Sequence, residues 1–437
     1  MQSKPRLWYI IPACNAQETL KATVQSVLGQ TMPDVRAVIV DDGSTDQTRR
    51  VAEGLRGPRV GLLSQANAGL AAARNAGWRE ARGACVCFLD SDDVVGPDHA
   101  QRMLDALGDA DAVACGYRFV GAQLEDLGWE VPVLPGDTTV ERLLEVNRLA
   151  VGAVVMRSGR AGDLLRAADG IAGFDPSLGV HEDWDLFLRL TRAGRRWAEP
   201  LREPLFSYRL WQGSMSCARE QMWQVGLGVI ARHAPDAAVL EARSRGWHLR
   251  SLARALAAED GALIASIRGA LGPIEADDCA ILSGAIRWAC ARHAIVGPAD
   301  WESHMAGWAN RVRCGLAGER WCDAIVTQLL AGPHRWNAAI VRAQAMLEPG
   351  QPLVIYGYGR NGWQARRAAE AIGVAIVIAD DDPAAVYTPT QTNGPVAIAP
   401  EGIEPGAVVL VTPEDRTRII DRLRMQGVCK IILPDAA

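Results

Sequence analysis

Three short apolar runs in the first hundred residues each end in polar or acidic residues, and those ends are where chemistry could be done. Residues 7–12 run into Ala13, Cys14 and Asn15; residues 38–40 into Asp41, Asp42, Gly43 and Ser44; residues 85–89 into Asp90, Ser91, Asp92 and Asp93. Read as parallel strands of one sheet, the runs bring all three clusters to one carboxyl edge, which is where open α/β sheets hold ligands. Carboxylates gathered there repel one another unless a cation or a hydrogen-bonded ligand holds them. Asp90 and Asp92 stand two residues apart, so on extended chain both point the same way. Their hard oxygens suit Mg2+ or Mn2+. The expectation is a site for a metal and a nucleotide.

The elements that would position these groups follow from the spacing of apolar residues. Strands are expected at 7–12, 36–40, 59–63 and 85–89, with helices at 17–29, 45–55 and 68–82 between them. That alternation predicts a parallel sheet with crossover helices. Further on, strands are expected near 112–120 and 151–156, a helix at 138–148 and another starting at Glu182. From 217 to about 345 the strand pattern stops, and Ala, Leu, Arg and Trp recur at three- and four-residue spacing, which predicts a helical region. Its tryptophans read first as core and otherwise as a flat surface for an acceptor or partner. After 348 the alternation returns. The division read from the sequence is 1–216, 217–347 and 348–437.

Bulk properties bound the function. The chain has 437 residues, 49% apolar and 22% charged, with a formal net charge of −5. It shows no basic stripe of the kind nucleic acid requires. No stretch approaches the ~20 apolar residues of a membrane span, and the N-terminal apolar run is too short for a secretory h-region. The ten cysteines are scattered; Cys85 and Cys87 fall on one face of one strand, as core filler does. Reduced thiols point to the cytoplasm.

Five ordered motifs, IIPACNAQETL (10–20), VDDGSTDQT (40–48), NAGLAAARNAG (67–77), FLDSDD (88–93) and HEDWDLFLRL (181–190), resemble those of inverting family 2 glycosyltransferases of the GT-A fold. The resemblance covers about residues 5–216. It implies a metal-dependent transferase of the hexosyltransferase type that uses a nucleotide-diphosphate sugar, with UDP as the expected nucleotide. It implies nucleotide contacts from Pro12, Ala13, Asn15, Glu18, Asp41, Asp42, Asn67, Gly69, Arg74, Asp90, Ser91 and Arg209. A carboxylate at Asp41 or Asp42 would accept a uracil imide N–H; the bland alternative is that Asp42 or Ser44 caps the next helix, which is the reading preferred for Ser44. Asp92, with Asp90, would ligate Mn2+ or Mg2+. Asp183 would be the general base and Glu182 its orienting neighbour, although first-turn carboxylates also simply suit a helix dipole. Read blandly, Arg74 is a solvated helix arginine. The chain departs from the family pattern at Cys14, where a tyrosine is usual, and at Trp211, where a histidine is usual.

Near the C-terminus, Gly357, Gly359 and Gly362 follow an expected strand at 353–356 and precede an expected helix, with Asp380 and Asp381 at the end of the next strand. That context is what a dinucleotide-binding loop requires. The unit resembles the small Rossmann-like domain of sugar O-acyltransferases and sugar methyltransferases, and serves equally as a ligand-free docking domain.

The fold expected is α/β: a GT-A domain, an all-α middle domain and a small Rossmann-like domain. The expected partners are a nucleotide-sugar donor and a glycan, lipid-linked or protein acceptor, with no nucleic acid. Peripheral contact with a membrane and a homo-oligomer are compatible with the sequence. The competing expectation is a catalytically degenerate nucleotide-sugar-binding scaffold or sensor. A sugar nucleotidyltransferase would need a Gly-rich basic loop after the first strand, and Cys14-Asn15-Ala16 offers none.

Overall fold

The computed structural model describes residues 6–81, 85–134, 136–158, 173–211, 218–294 and 301–331, together with shorter stretches from 343 to 432. The described chain forms two compact units, Met1–Cys322 and Asp323–Ala437.

The first unit is built on a mixed sheet. Its strands are β1 (Leu7–Ala13), β2 (Val35–Asp42), β3 (Val60–Gln65), β4 (Cys85–Phe88), β5 (Val94–Val95), β6 (Ala112–Val120), β7 (Asp126–Val131), β8 (Val154–Arg157) and β9 (Leu201–Arg209). The order is β3-β2-β1-β4-β8-β6-β9-β5, with β7 paired to β6. The parallel half arises as expected: β1 lies between β2 and β4, with Ala13 opposite Asp41 and Ile10 opposite Phe88. The three polar clusters therefore do share one carboxyl edge.

Each face of that half is covered for a stated reason. Helices α1 (Leu20–Leu28), α2 (Thr48–Leu55) and α4 (His99–Leu107) bury Leu20, Val24, Ala52 and Met103 in one core with Leu7, Tyr9 and Ile11. Cys85 and Cys87 fill that core as read. Helix α3 (Leu70–Glu80) covers the other face. It comes so close that a Cβ on Gly77 would sit 2.4 Å from Ile10 Cγ2.

The other half departs from the sequence expectation. Strand β8 runs antiparallel to both β4 and β6, and β9 lies parallel to β6 with an irregular register around Gly116. Strand β9 carries Pro204 and alternating charge, so it does not read as an apolar run. Gly116 lets it approach, since a Cβ there would lie 2.3 Å from Arg202 O. The expected 138–148 helix is shorter, α5 (Val140–Glu145), and a single 3-10 turn at Val151–Ala153 precedes β8.

Helix α6 (Glu182–Arg192) is followed beyond β9 by α7 (Arg219–His233), α8 (Ala237–Ala257), α9 (Gly261–Leu271), α10 (Asp278–Ala294) and α11 (Trp301–Gly315). The helical stretch packs onto α6. Asp185, with none of its surface exposed, is bonded by Arg189 at 2.7 Å, Arg232 at 3.0 Å and His233 at 3.0 Å. These partners and the His233 bond hold its carboxyl down to about 2, against the burial that would raise it. Trp247 packs on Trp184 with ring centroids 5.1 Å apart, and Trp223, Trp247 and Trp308 are core residues. Among the described residues, no helix is long and apolar enough to cross a membrane.

The second unit begins within α12 (Cys322–Ala331). It contains β10 (Leu353–Tyr356), β11 (Ile376–Ala379), β12 (Val396–Ile398), β13 (Val408–Val411), α13 (Thr417–Met425) and β14 (Lys430–Ile432). The sheet is wholly parallel, in the order β12-β11-β10-β13-β14. Gly357, Gly359, Gly362, Asp380 and Asp381 lie outside the described residues.

Candidate active site

The loops after β1 and β2 are stitched together by side chains. Asn15 adopts a left-handed conformation (φ 51°). Its Oδ1 accepts from the Thr45 backbone N–H at 2.9 Å, and its own N–H donates to Ser44 Oγ at 3.2 Å. Ser44 is thus a loop tie. Just ahead of α2, Asp46 Oδ1 accepts from Thr48 N at 2.8 Å. Pro12 and Ala13 are buried at the end of β1. Glu18 is exposed and accepts from Gln17.

The two aspartates after β2 have different surroundings. Asp42 accepts from Gln65 Nε2 at 2.7 Å, Ala68 N at 2.9 Å and Gly69 N at 2.9 Å. Its carboxylate braces the turn into α3, and Asn67 adds a bond to its carbonyl at 3.0 Å. Asp41 accepts from Ser44 N at 3.2 Å. Of the pair, Asp42 is committed to the loop, which the sequence could not distinguish. Gly43, which follows them, has φ 70°, and a Cβ there would lie 2.6 Å from Asn67 N. Gly43→Ala is therefore expected to cost about 2–3 kcal/mol through a left-handed alanine and that backbone clash. Urea unfolding of the two proteins checks this; a loss below about 0.5 kcal/mol would show that the loop gives way.

Arg74 is neither solvated nor open to a ligand as the sequence suggested. It is 2% exposed and ion-paired to Glu182 and, at 2.5 Å, to Asp90 Oδ1. Its guanidinium lies over the Phe174 ring, 5.2 Å from the centroid. Burial alone would lower its pKa, but the charges of Asp90 and Glu182 raise it, so it is a fixed cation. One arginine thus ties the end of β4 to the first turn of α6.

Asp183, beside that pair, is held by Asn147 Nδ2 at 3.3 Å and by the Trp184 N–H at 2.7 Å. Burial and the Glu182 charge push its carboxyl up to about 7, although Arg74 opposes them. Asn147 and Phe174 were not foreseen. The sequence expectation placed Asn147 inside a helix, whereas α5 stops at Glu145 and frees it. Phe174 is fixed through its backbone by Asn75, at 2.9 Å and 2.8 Å, a link across ninety-nine residues.

At the other side of the β4 turn, Arg209 donates from Nε to Asp92 O at 2.6 Å and from Nη1 to Ala122 O at 2.8 Å, while its N–H donates to Asp93 Oδ1 at 2.8 Å. The Arg209 Nη2 is buried with no hydrogen-bond partner. Ser91 O accepts from Thr23 Oγ1 at 2.9 Å. Trp211 donates from Nε1 to Asp92 Oδ2 at 2.9 Å. Burial and the Asp90 charge raise the Asp92 carboxyl, and burial with the Asp92 charge raises Asp93 strongly.

The geometry thus joins Asp90, Arg74 and Glu182 in one group, with Asp183 adjoining, and Asp92, Asp93, Arg209 and Trp211 in another. Residues 8–154 match the Glycosyl transferase family 2 model. Over these residues the chain is similar to family 2 glycosyltransferase domains. The chain as a whole is α/β: a GT-A-like curled mixed sheet, a helical middle region and a small parallel sheet.

Among curated relatives, a chondroitin synthase of Escherichia coli is 30% identical over 197 residues, 44% of this chain and 27% of that protein. The succinoglycan biosynthesis protein ExoO of Rhizobium meliloti (strain 1021) is 38% identical over 102 residues, 23% of this chain and 29% of that protein. The chain spans about a third or less of the length of these relatives. Among solved structures, S. aureus TarS 1-349 in complex with UDP is similar with a TM-score of 0.42 and 16% identity, covering 76% of this chain and 91% of that one. The mannosyltransferase PcManGT from Pyrobaculum calidifontis, in complex with GDP-Man and Mn2+, is similar with a TM-score of 0.43 and 20% identity, covering 75% and 88%.

Proposed function

We propose that the protein transfers a sugar from a nucleotide-diphosphate donor, a UDP-sugar, to a hydroxyl acceptor with inversion at the anomeric carbon. The observation that carries this reading is the placement of Asp183 in the first turn of α6, held by Asn147 beside the group of Arg74, Glu182 and Asp90, where burial and the Glu182 charge raise its carboxyl so that it can take a proton near neutral pH. Asp41 at the end of β2 is the side chain for the base, with the backbone of Pro12 and Ala13 beside it. Glu182 and Arg74 set the position of the first turn of α6, and with it the base. Attack by the acceptor oxygen, as Asp183 takes its proton, comes from the face opposite the leaving group and inverts the configuration.

The donor set fits a hard divalent cation. Asp90 and Asp92 would hold Mn2+ or Mg2+, which usually take one or two carboxylates and complete their shell with phosphates and water. Such a cation supplies charge neutralisation on the departing diphosphate. The names of the relatives, a chondroitin synthase and a succinoglycan biosynthesis protein, favour a glycan acceptor, and a bacterial surface glycan, lipid-linked precursor or glycoprotein is the product class. We place the reaction in the cytoplasm. The small parallel sheet of the second unit is read as a Rossmann-like domain for a ligand or a partner.

The test is release of nucleoside diphosphate from a panel of nucleotide sugars. With one donor, release should be measurable with Mn2+, fall at least tenfold in excess EDTA, and return when Mn2+ is restored. Nucleotide binding without release across donors and acceptors would favour the second reading, a degenerate scaffold. The Trp211 N–H on Asp92 is the observation on that side.

A further inference from the structure

Trp211 has no role in the reaction described so far, yet the structure holds it firmly. It directly follows β9 and is 40% exposed, one of few large apolar side chains exposed among the described residues. The chain before it is tied at several points: Leu210 N to Val120 O at 2.8 Å, Arg209 N to Asp93 Oδ1 at 2.8 Å and Arg209 Nε to Asp92 O at 2.6 Å. The indole N–H bond to Asp92 Oδ2, at 2.9 Å, is therefore made by an anchored residue. The companion carboxylate is treated the same way, since Arg74 takes Asp90 Oδ1 at 2.5 Å.

An indole is a donor only and offers no lone pair to a cation. Among the described residues, no group of three or more His, Cys, Asp or Glu side chains is placed to hold one. The side chains read above as holding a cation at this place are Asp90 and Asp92.

We propose that Trp211 is a positioning residue for the cation: its N–H fixes Asp92, as Arg74 fixes Asp90, so that the other oxygen of each carboxylate is presented to a cation whose remaining ligands come from the donor diphosphate and water. This rests on the metal-dependent reading above. Two consequences follow. Cation and nucleoside diphosphate bind together, each strengthening the other by the same factor. The site needs the N–H of residue 211, not the bulk of its ring.

Mn2+ and UDP are the probes, titrated calorimetrically into the full chain. Wild-type protein should bind Mn2+ at least tenfold tighter with saturating UDP than without it. Trp211→Phe keeps an aromatic ring and loses the donor. It should weaken Mn2+ binding to the UDP complex by about tenfold, the usual effect of losing a hydrogen bond to a metal ligand. UDP affinity in EDTA and the melting temperature should stay unchanged. Trp211→Gln, whose amide nitrogen lies as many bonds from the backbone as the indole nitrogen, should regain part of the loss.

Unchanged Mn2+ affinity in the Phe variant overturns the proposal. Tighter Mn2+ binding also overturns it and makes the indole a plug on Asp92. A Gln variant as weak as the Phe variant counts against the N–H as the operative group. Wild-type protein that binds UDP but no Mn2+ removes the cation from the proposed function too, which separates that failure from a failure at Trp211 alone.

Discussion

Asp183→Asn is expected to lower sugar transfer by about 10²–10⁴-fold, the usual worth of a positioned general base, and to leave nucleotide affinity unchanged. Asparagine has the same shape and can still meet Asn147, so the loss isolates the proton-accepting role. The same carboxyl sets the pH dependence. Burial and the Glu182 charge raise it to about 7, so it is largely neutral below that pH and ionised above. Only the ionised form accepts a proton. In the wild type kcat/KM should therefore fall as pH drops through about 7, and the residual activity of the variant should lack that limb. Steady-state rates from pH 5 to 9 on both proteins test the assignment. A variant that transfers normally would remove Asp183 from the base role and leave the fold and the nucleotide site standing.

Arg74→Leu should be the most destabilising single change at the site, by about 3–5 kcal/mol, because it leaves a buried carboxylate without its partner. Glu182 is 4% exposed, so its charge cannot be handed to water. Asp90 is 30% exposed in its side chain and contributes less. Arg74→Lys keeps the charge but loses the fork that spans both carboxylates, and should fall between. The change should also reach Asp183, whose carboxyl Arg74 draws down; without it the acid limb moves to higher pH. Urea unfolding followed by tryptophan fluorescence, with pH profiles of the Leu variant, which loses the charge, and of the Lys variant, which keeps it, measures both effects. A loss under about 1 kcal/mol for the Leu variant would mean that Glu182 finds water or another donor.

How much of this was legible beforehand divides along the sheet. The parallel half was readable because β1, β2 and β4 are apolar on both faces and end in polar turns. Their order on the chain is enough to put Ala13, Asp41 and Asp90 on one edge. In the other half β6 and β8 read as strands, but β9 did not, since it contains Pro204 and charged residues and takes its place by pairing with β6 around Gly116 and with β5. Tryptophans of the helical stretch illustrate the same limit. Their spacing showed helices, but that Trp247 packs on Trp184 of α6 needed the coordinates.

The amino-acid sequence by itself determined the class of site: local motifs fixed the residue types, and residue type fixes what chemistry is available. It fixed the strand ends that carry Asp41, Asp42, Asp90 and Asp92, and the first turn that carries Glu182 and Asp183. Only the tertiary structure decided how those groups divide their work. Asp42 is consumed by three donors of one loop, and Arg74 by two carboxylates, one of them 108 residues away along the chain. Asn147 and Phe174 joined the site through contacts that no local pattern encodes. A side chain's motif tells what it can bind; which of its atoms are already taken depends on neighbours brought together from distant parts of the chain, and burial then sets the charge at which each one works.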